Sequence, residues 1–486
     1  MSVSSRTSTG APATGDTTAH DARVLFALGL GLSALFHLAG NARPSFAPVT
    51  AALTLVQLAV GAAAVWTCCR PRRQVPLLLL CGLVPVSAWL EAPVVGNHWV
   101  LAAALSSTCL LARCVSGRRG DVGAATWSRF LPAGRMVVLI AYSMAAFAKL
   151  NTDFFDPVTS CAVFYQDQLV RSWGLDGLSS VGRPGLGRGI ALAASFVELS
   201  VPLLLMSRRT RRAGLLLALS FHWLLALDLD QHFWDFSSIL FLAFVLFFDR
   251  PQVQAVASIL RGGRDAVRPS LRPLLATCGV VTAAIVTVSA ARSGGPALRG
   301  AAVLLGHLGW MTLGTAALVV VAVATARTSA APDRRFFPTV AVLVPVLVAI
   351  NGLTPYLELK TVRLEHVQQL RTVDGETNHL VLPATIDLTG LQSDQVEILA
   401  SSDPALAQLV ESGYAVVHSE LREYASANPD ASVTYRRDGR VHVFERIGDD
   451  PSRSGGVSEV SRRLQSFRAV DVSGAERCQA VFTPAR

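Results

Sequence analysis

Charged residues are scarce in this 486-residue chain: they make up 16% of it, whereas 51% of the residues are hydrophobic. An ordinary soluble domain has roughly 25% charged residues, and a soluble protein with so few could not cover its own surface. The apolar residues also fall in long uninterrupted runs. These features exclude a soluble enzyme, a disordered chain and a fibrous protein, and they indicate an integral membrane protein.

Lysine is almost missing as well. Lys149 and Lys360 are the only two, so arginine supplies 41 of the 43 Lys and Arg residues, a bias typical of a GC-rich bacterial genome. The net charge of +9 does not indicate nucleic acid as a partner, because the arginines cluster in short loops between the apolar runs. In that position they act as membrane-topology signals.

Several functional signatures are absent too. Residues 1–22 lack the apolar core of a signal peptide, and we expect them to form a disordered cytoplasmic tail. No CxxC pair occurs, and no metal site is predicted. No P-loop, GxGxxG, HExxH or GxSxG element lies in a fitting context.

The apolar runs predict an all-α polytopic membrane protein of about eleven transmembrane helices within residues 23–353. The runs cover about 24–40, 49–68, 75–90, 98–112, 136–150, 189–206, 213–228, 234–248, 274–291, 300–325 and 337–353. Several are shorter than the ~20 residues of a full span. Residues 354–486 alternate charged and apolar positions, and they predict a small C-terminal α+β extracytoplasmic domain.

The arginine distribution predicts the orientation. Alternate loops between the runs hold 20 arginines, and the loops on the other side hold six. Because basic loops stay in the cytoplasm, we expect a multi-pass plasma-membrane protein. Its N-terminus lies in the cytoplasm and its C-terminal domain outside.

Local patterns predict some structure within the C-terminal domain. Residues 432–437 and 440–446 alternate around Asp438-Gly439, which favours a β-hairpin. We also expect a helix over 404–427 and a short strand over 379–382.

Of the eight cysteines, only Cys161 and Cys478 fall outside the membrane in this topology. A disulfide is stable in that oxidising environment if the two thiols form one. The two thiols either bridge the long loop after the fifth helix to the tail, or they are unpaired and unrelated.

Two polar residues at outer helix ends are candidates for chemistry. Lys149 ends the fifth helix. Burial can turn a lysine, unlike an arginine, into a neutral base, although a snorkelling anchor explains the position equally simply. His98 begins the fourth helix on the same face and could donate a hydrogen bond to an anion formed beside the lysine. The alternative is that His98 is an interfacial histidine next to Trp99 without a chemical role.

Glu198 and His222 are predicted near mid-membrane on sequential helices, where they would pair. Such a pair is either functional or a structural link between helices. The turn 228–235 holds three aspartates and His232, and their spacing could present a metal site. Because no established ligand pattern matches, we interpret the turn as a solvated loop that caps the next helix. His37 and His307 are interpreted as packing residues.

Four short motifs share the order and spacing of a known family. They are Tyr142 with Phe147-Ala-Lys149-Leu-Asn-Thr-Asp-Phe154; Asn97-His98; Phe196-Val197-Glu198-Leu199 with Ser207-Arg208-Arg209; and Phe221-His222 with the Phe-rich stretch 236–248. Together they resemble vitamin K-dependent gamma-carboxylase and its bacterial relatives, the horizontally transferred transmembrane (HTTM) proteins. The resemblance covers about residues 22–250. The sequence departs from the family's motif at Ser143, Ala146, Ala148 and Phe154.

The resemblance implies carboxylase-like lyase chemistry with a reduced quinone. In that family the lysine deprotonates vitamin K hydroquinone, oxygen adds, and the resulting strong base removes a glutamate γ-proton before carbon dioxide is taken up. Lys149 matches the base, and His98 matches the histidine that stabilises negative charge. The implied partners are membrane lipid, a menaquinol-like quinone, and a secreted peptide or protein substrate. The carboxylase's large lumenal region has no recognisable counterpart in 354–486.

Two functions remain open from the sequence. In the first, Lys149 is a base on a quinol or related acid, and Glu198 with His222 organises the helices. In the alternative, the protein is a non-enzymatic maturation or export partner, in which Lys149 and Glu198 are structural and the outer domain binds a secreted peptide.

Overall fold

The computed structural model describes residues 14–40, 50–92, 95–117, 122–262, 296–331, 341–361, 369–451 and 463–472, with positions 474 and 478. The predicted helix 274–291, residues 1–13 of the predicted tail 1–22 and the start of the predicted helix 337–353 lie outside these residues. The prediction of a disordered tail is wrong for residues 14–22, which are helical.

Helices make up almost all of the described chain before residue 354. In chain order they are α1 (Thr14–Gly40), α2 (Ala51–Cys69), α3 (Gln74–Glu91), α4 (Asn97–Cys114), α5 (Val122–Ala148), α6 (Thr152–Phe155), α7 (Cys161–Ser172), α8 (Pro184–Met206), α9 (Arg211–Leu225), α10 (Phe233–Val245), α11 (250–262), α12 (Pro296–Gly309), α13 (Thr315–Arg327) and α14 (Leu343–Leu353). A π-helical turn, Trp310–Gly314, joins α12 to α13.

Six helical segments are long and apolar enough to cross a membrane. They are Thr17–Gly40, Ala51–Cys69, Gln74–Glu91, Gly123–Ala148, Pro184–Met206 and Gly300–Arg327. Two further apolar helices, Phe233–Val245 and Leu343–Leu353, are shorter. The chain is therefore mostly helical and fits a membrane-embedded protein, whereas the prediction of eleven spans stays a prediction.

The helix before Lys149, α5, is longer than predicted, and it ends at Ala148, so that Lys149 lies in the turn directly after it. It begins at Val122 rather than at residue 136, so Arg129 and Arg135 lie inside a helix and not in a basic loop. Arg135 is tolerated there because its Nε donates to the carbonyl of Leu246 (2.6 Å) and its guanidinium lies over the Phe247 ring. The loop predicted between the apolar runs 234–248 and 274–291 is also wrong at its start, because 250–262 is helical.

Basic side chains near the ends of several helices contact residues at the ends of neighbouring helices. Arg23 donates to the carbonyl of Arg72 (2.9 Å), and Arg261 pairs with Asp21 (3.0 Å). Arg212 pairs with Asp249 and also donates to carbonyls just beyond α13. The N-terminal helix and several of the arginine-rich segments therefore meet at the same end of the bundle.

The C-terminal domain begins with a small hairpin of β1 (Thr372–Val373) and β2 (Glu376–Thr377). A five-stranded antiparallel sheet follows, with strands β3 (Gln395–Ser401), β4 (Tyr414–Val417), β5 (Val433–Arg437), β6 (Arg440–Phe444) and β7 (Val470–Asp471). The order of the strands across this sheet is β6-β5-β3-β4-β7. The predicted β5–β6 hairpin is confirmed, with Asp438 and Gly439 at positive φ.

Two other predictions for this domain are wrong. The expected helix 404–427 is split into α15 (Pro404–Ser412) and α16 (His418–Ala427). Gly413, at a φ of 73°, ends α15 and the β-favouring run 414–417 pairs in the sheet instead. Residues 379–382 form no strand. His379 makes an isolated β-bridge with Asn151, which lies in the short connection between α5 and α6 and has no further extended residues to continue the pairing.

The C-terminal domain is attached to the bundle at the end of α5. The amide of Leu380 donates to the carbonyl of Leu150 (2.8 Å), and the amide of Thr152 donates to the carbonyl of Asn378 (3.0 Å). The structure also contains the Cys161–Cys478 disulfide, which links α7 to the tail. Of the two alternatives that the sequence left open for these cysteines, the chain has the bridge.

Candidate functional site

A cavity of about 110 Å³ lies among α4, α5, α8, α9 and α10. Six apolar side chains line it together with six polar ones: Asn97, His98, Tyr142, Lys149, Glu198 and His222. All four residues that the sequence singled out as catalytic candidates therefore contribute to one cavity, although they come from α4, the turn after α5, α8 and α9.

Lys149 and Glu198 form an ion pair in the cavity wall. The Lys149 ammonium donates to Oε2 of Glu198, and the two side chains are 21% and 12% exposed. The predicted pairing of Glu198 with His222 is thus wrong. The depth estimate behind it placed Lys149 at the outer boundary and Glu198 at mid-membrane. However, α8 begins five residues before its predicted start, and the long lysine side chain reaches the carboxylate.

His222 instead contacts Tyr142. Its Nε2 lies 3.1 Å from the tyrosine hydroxyl, and both side chains are buried. Nδ1 of His222 has no protein partner among the described residues. Because buried polar atoms are normally hydrogen-bonded, a cavity-lining histidine with a spare nitrogen is suited to contact a polar group of a ligand.

His98 is oriented by a carboxylate on a neighbouring helix. Its Nε2 lies 2.8 Å from Oδ2 of Asp235, and its backbone amide donates to Oδ1 of Asn97 (2.8 Å). A carboxylate that holds one imidazole nitrogen fixes the orientation of the ring, as in catalytic triads. Gly96 leaves room for this ring position, since a Cβ there would clash with it, 2.9 Å from Nδ1.

Asp235 belongs to a buried network that the sequence analysis missed. The turn 228–235 is not wholly a solvated loop, because Asp235 lies in the first turn of α10 and is only 5% exposed. His37, interpreted as a packing residue, contacts Asp235 (3.2 Å) and Glu91 (3.0 Å) through its two ring nitrogens. A signal existed: Glu91 directly follows an apolar run, and an intramembrane carboxylate requires a partner.

The C-terminal domain covers the end of α5, directly before Lys149. Nε2 of His379 donates to the carbonyl of Phe147 (2.9 Å), while Nδ1 accepts from the amides of Val381 and Leu382. The carbonyl of Phe147 lies in the last turn of α5, and it also accepts from the amide of Leu150 (3.0 Å). Burial lowers the pKa of His379, and a neutral ring is what this bonding pattern requires.

No family model, curated protein or solved structure matches the chain. The resemblance to the gamma-carboxylase and HTTM proteins therefore stays a prediction.

Proposed function

We propose that the protein is a polytopic plasma-membrane protein of the HTTM family, with about eleven spans. Its N-terminus lies in the cytoplasm and its C-terminal domain outside. The six membrane-length helices and the meeting of arginine-rich segments at one end of the bundle support this proposal. A C-terminal fusion to a reporter that is active only in the cytoplasm should stay inactive, and an active fusion would overturn the orientation.

The cavity binds the headgroup of a lipid-soluble acid of the reduced-quinone class. The observation that carries this proposal is the convergence of Lys149, Glu198, His98 and His222 on one cavity. The spare Nδ1 of His222 and the apolar half of the lining suit a ring with polar substituents. Because 110 Å³ is below the roughly 300–1,000 Å³ of pockets that enclose a drug-sized ligand, the cavity fits a headgroup better than a whole lipid.

Lys149 acts as the base on this ligand. Transfer of its proton to Glu198 leaves a neutral amine, which then takes the proton of a bound hydroxyl. His98, held by Asp235, stabilises the anion that remains. When bound and deprotonated, the reduced quinone supplies the reaction with oxygen that yields its epoxide and water.

Membranes that contain the wild type or Lys149→Ala test this activity. They receive reduced menaquinone, oxygen and bicarbonate, and mass spectrometry quantifies the quinone epoxide. We expect epoxide from the wild type and only background from the variant. Equal amounts from both membranes would overturn the assignment of the base.

Glutamine substitutions provide a matched comparison in the same assay. Glu198→Gln breaks the ion pair in the cavity and should reduce epoxide formation to near background. Glu397→Gln breaks an exposed ion pair with Arg436 on the outer sheet and should leave epoxide formation unchanged. Equal activity of the two variants would contradict the role of Glu198.

The second proposed function, a non-enzymatic maturation or export partner, is favoured by the edge of the outer sheet. β6 is an edge strand, and its Val441 and Val443 are 55% and 69% exposed. Exposed apolar edge strands accept extended peptides by strand addition. If this function is the right one, Val443→Asp should abolish binding of the secreted peptide by the outer domain, and Lys149→Arg should preserve that binding.

A further inference from the structure

Three side chains near the end of the bundle away from the arginine-rich segments present metal-ligand atoms at close range. Nδ1 of His37 and Nε2 of His98 lie 3.2 Å and 2.8 Å from Oδ2 of Asp235. One donor atom from each of the three residues can be chosen so that all lie within 4.8 Å of one another. Zinc–nitrogen bonds are about 2.0–2.1 Å long, so tetrahedral ligand atoms lie roughly 3.3 Å apart, close to the two distances from Asp235. We propose that His37, His98 and Asp235 bind a divalent transition-metal ion.

The surroundings of His37 match the support that metal-bound histidines receive. Its other nitrogen, Nε2, lies 3.0 Å from Oε2 of Glu91. Glu91 is held in turn by the Ser87 hydroxyl (2.7 Å) and the Gln57 amide (3.3 Å). A metal-ligating histidine almost always donates its second N–H to a carboxylate, carbonyl or water, which fixes the tautomer and the ring.

A second observation comes from Asp235 itself. Its side chain is 7% exposed, yet Oδ1 has no protein partner within the part of the chain that the structure describes. A buried carboxylate oxygen without a donor is costly, and coordination of a cation by both oxygens of Asp235 removes that cost. Gly40 leaves room for this carboxylate, since a Cβ there would lie 3.0 Å from Oδ2.

Packing holds the ligand atoms in place before any ion binds. The His37 ring stacks on Trp99 with centroids 3.8 Å apart, and His98, His37 and Asp235 come from α4, α1 and α10. Rigid helices define a site more precisely than loops do.

The donor set determines the class of ion. Two imidazoles and one carboxylate suit zinc, ferrous iron and their neighbours, whereas magnesium and calcium prefer oxygen ligands. Three protein ligands leave a coordination position open, as in catalytic sites. His98 also lines the cavity, so the ion lies directly behind the cavity wall. This inference does not depend on the proposed function, because metal content is measured without turnover.

The first test uses the full-length wild type, purified in detergent without chelators. Inductively coupled plasma mass spectrometry should find about one zinc or iron ion per chain and thereby identify the metal. The chelated protein should regain one Co²⁺ with visible d–d absorption, and Zn²⁺ should displace it. A wild type that contains no transition metal and does not take up Co²⁺ would overturn the proposal and leave the cluster as a hydrogen-bonded link between helices.

Matched aspartate variants locate the site. Asp235→Asn should lose at least tenfold in Co²⁺ affinity, and Glu91→Gln should lose about 10–100-fold, the usual effect of removing the group that supports a ligating histidine. Asp249→Asn removes a carboxylate of similar burial that pairs with Arg212 beyond the other end of α10, and it should bind Co²⁺ like the wild type. If Asp235→Asn does not fold, the Glu91→Gln comparison decides. Wild-type affinity in Glu91→Gln would contradict the proposal.

Discussion

The Lys149–Glu198 ion pair allows a quantitative prediction. Its side chains are 21% and 12% exposed, so water screens the pair only in part. Two unit charges about 4 Å apart attract each other by about 4 kcal/mol at an effective dielectric constant of about 20. Partial exposure reduces this value, and contacting residues usually show coupling energies of about 0.5–3 kcal/mol. We therefore expect a coupling energy of about 2 kcal/mol.

A double-mutant cycle of Lys149→Met and Glu198→Gln measures this coupling. Each single substitution leaves a partly buried group without its partner and should destabilise the protein. The double variant should be more stable than the sum of the single effects by about 2 kcal/mol. Thermal unfolding in detergent reports this as a difference of a few degrees in Tm, since 1 kcal/mol corresponds to roughly 2–4 °C in proteins of 150–250 residues and to less in a longer chain.

The exposed ion pair between Arg436 and Glu397 provides the control cycle. These side chains are 47% and 40% exposed, and pairs of this kind contribute about 0–1 kcal/mol. Strictly additive effects at Lys149 and Glu198, or a coupling no larger than in the control, would refute the reasoning about the cavity pair.

Three further predictions concern the cavity wall and the attachment of the C-terminal domain. Gly96→Ala should displace the neighbouring histidine ring and lower epoxide formation at least tenfold, whereas Gly82→Ala, which has open space around its Cβ position, should not. Burial lowers the pKa of His379, so its neutral form stabilises the attachment of the C-terminal domain. This stabilisation is present above about pH 6.5, the pKa of a free histidine. It is lost as the pH falls below that value. In a Cys161→Ser background, limited proteolysis of the C-terminal domain should therefore accelerate from pH 7.5 to 5.5, and pH-independent cleavage would contradict this. Alkylation should label Cys161 and Cys478 only after reduction, and labelling of the untreated protein would contradict the disulfide.

The sequence predicted the cavity residues better than it predicted their pairing. Lys149, Glu198, His98 and His222 stood out because polar groups within or beside apolar runs are costly and therefore informative. Which of them touch could not be derived. Depth estimates count residues from helix ends, and a displaced helix start or a long side chain changes the result.

Asp235 and Glu91 were missed for a related reason. Both lie at the boundary of an apolar run, where a carboxylate is usually solvated, and only the tertiary packing of four helices shows them to be buried with His37. In the C-terminal domain, Asp438-Gly439 fixed the hairpin through local turn chemistry. The β4 strand was overlooked although Gly413 is a typical helix stop signal.

Epoxide formation by Lys149→Arg tests the central claim most directly. Arginine keeps the positive charge beside Glu198 but does not act as a base. The account predicts a variant with a Tm close to that of the wild type and epoxide no higher than in Lys149→Ala membranes. Wild-type epoxide formation by Lys149→Arg would contradict it and identify Lys149 as a structural anchor.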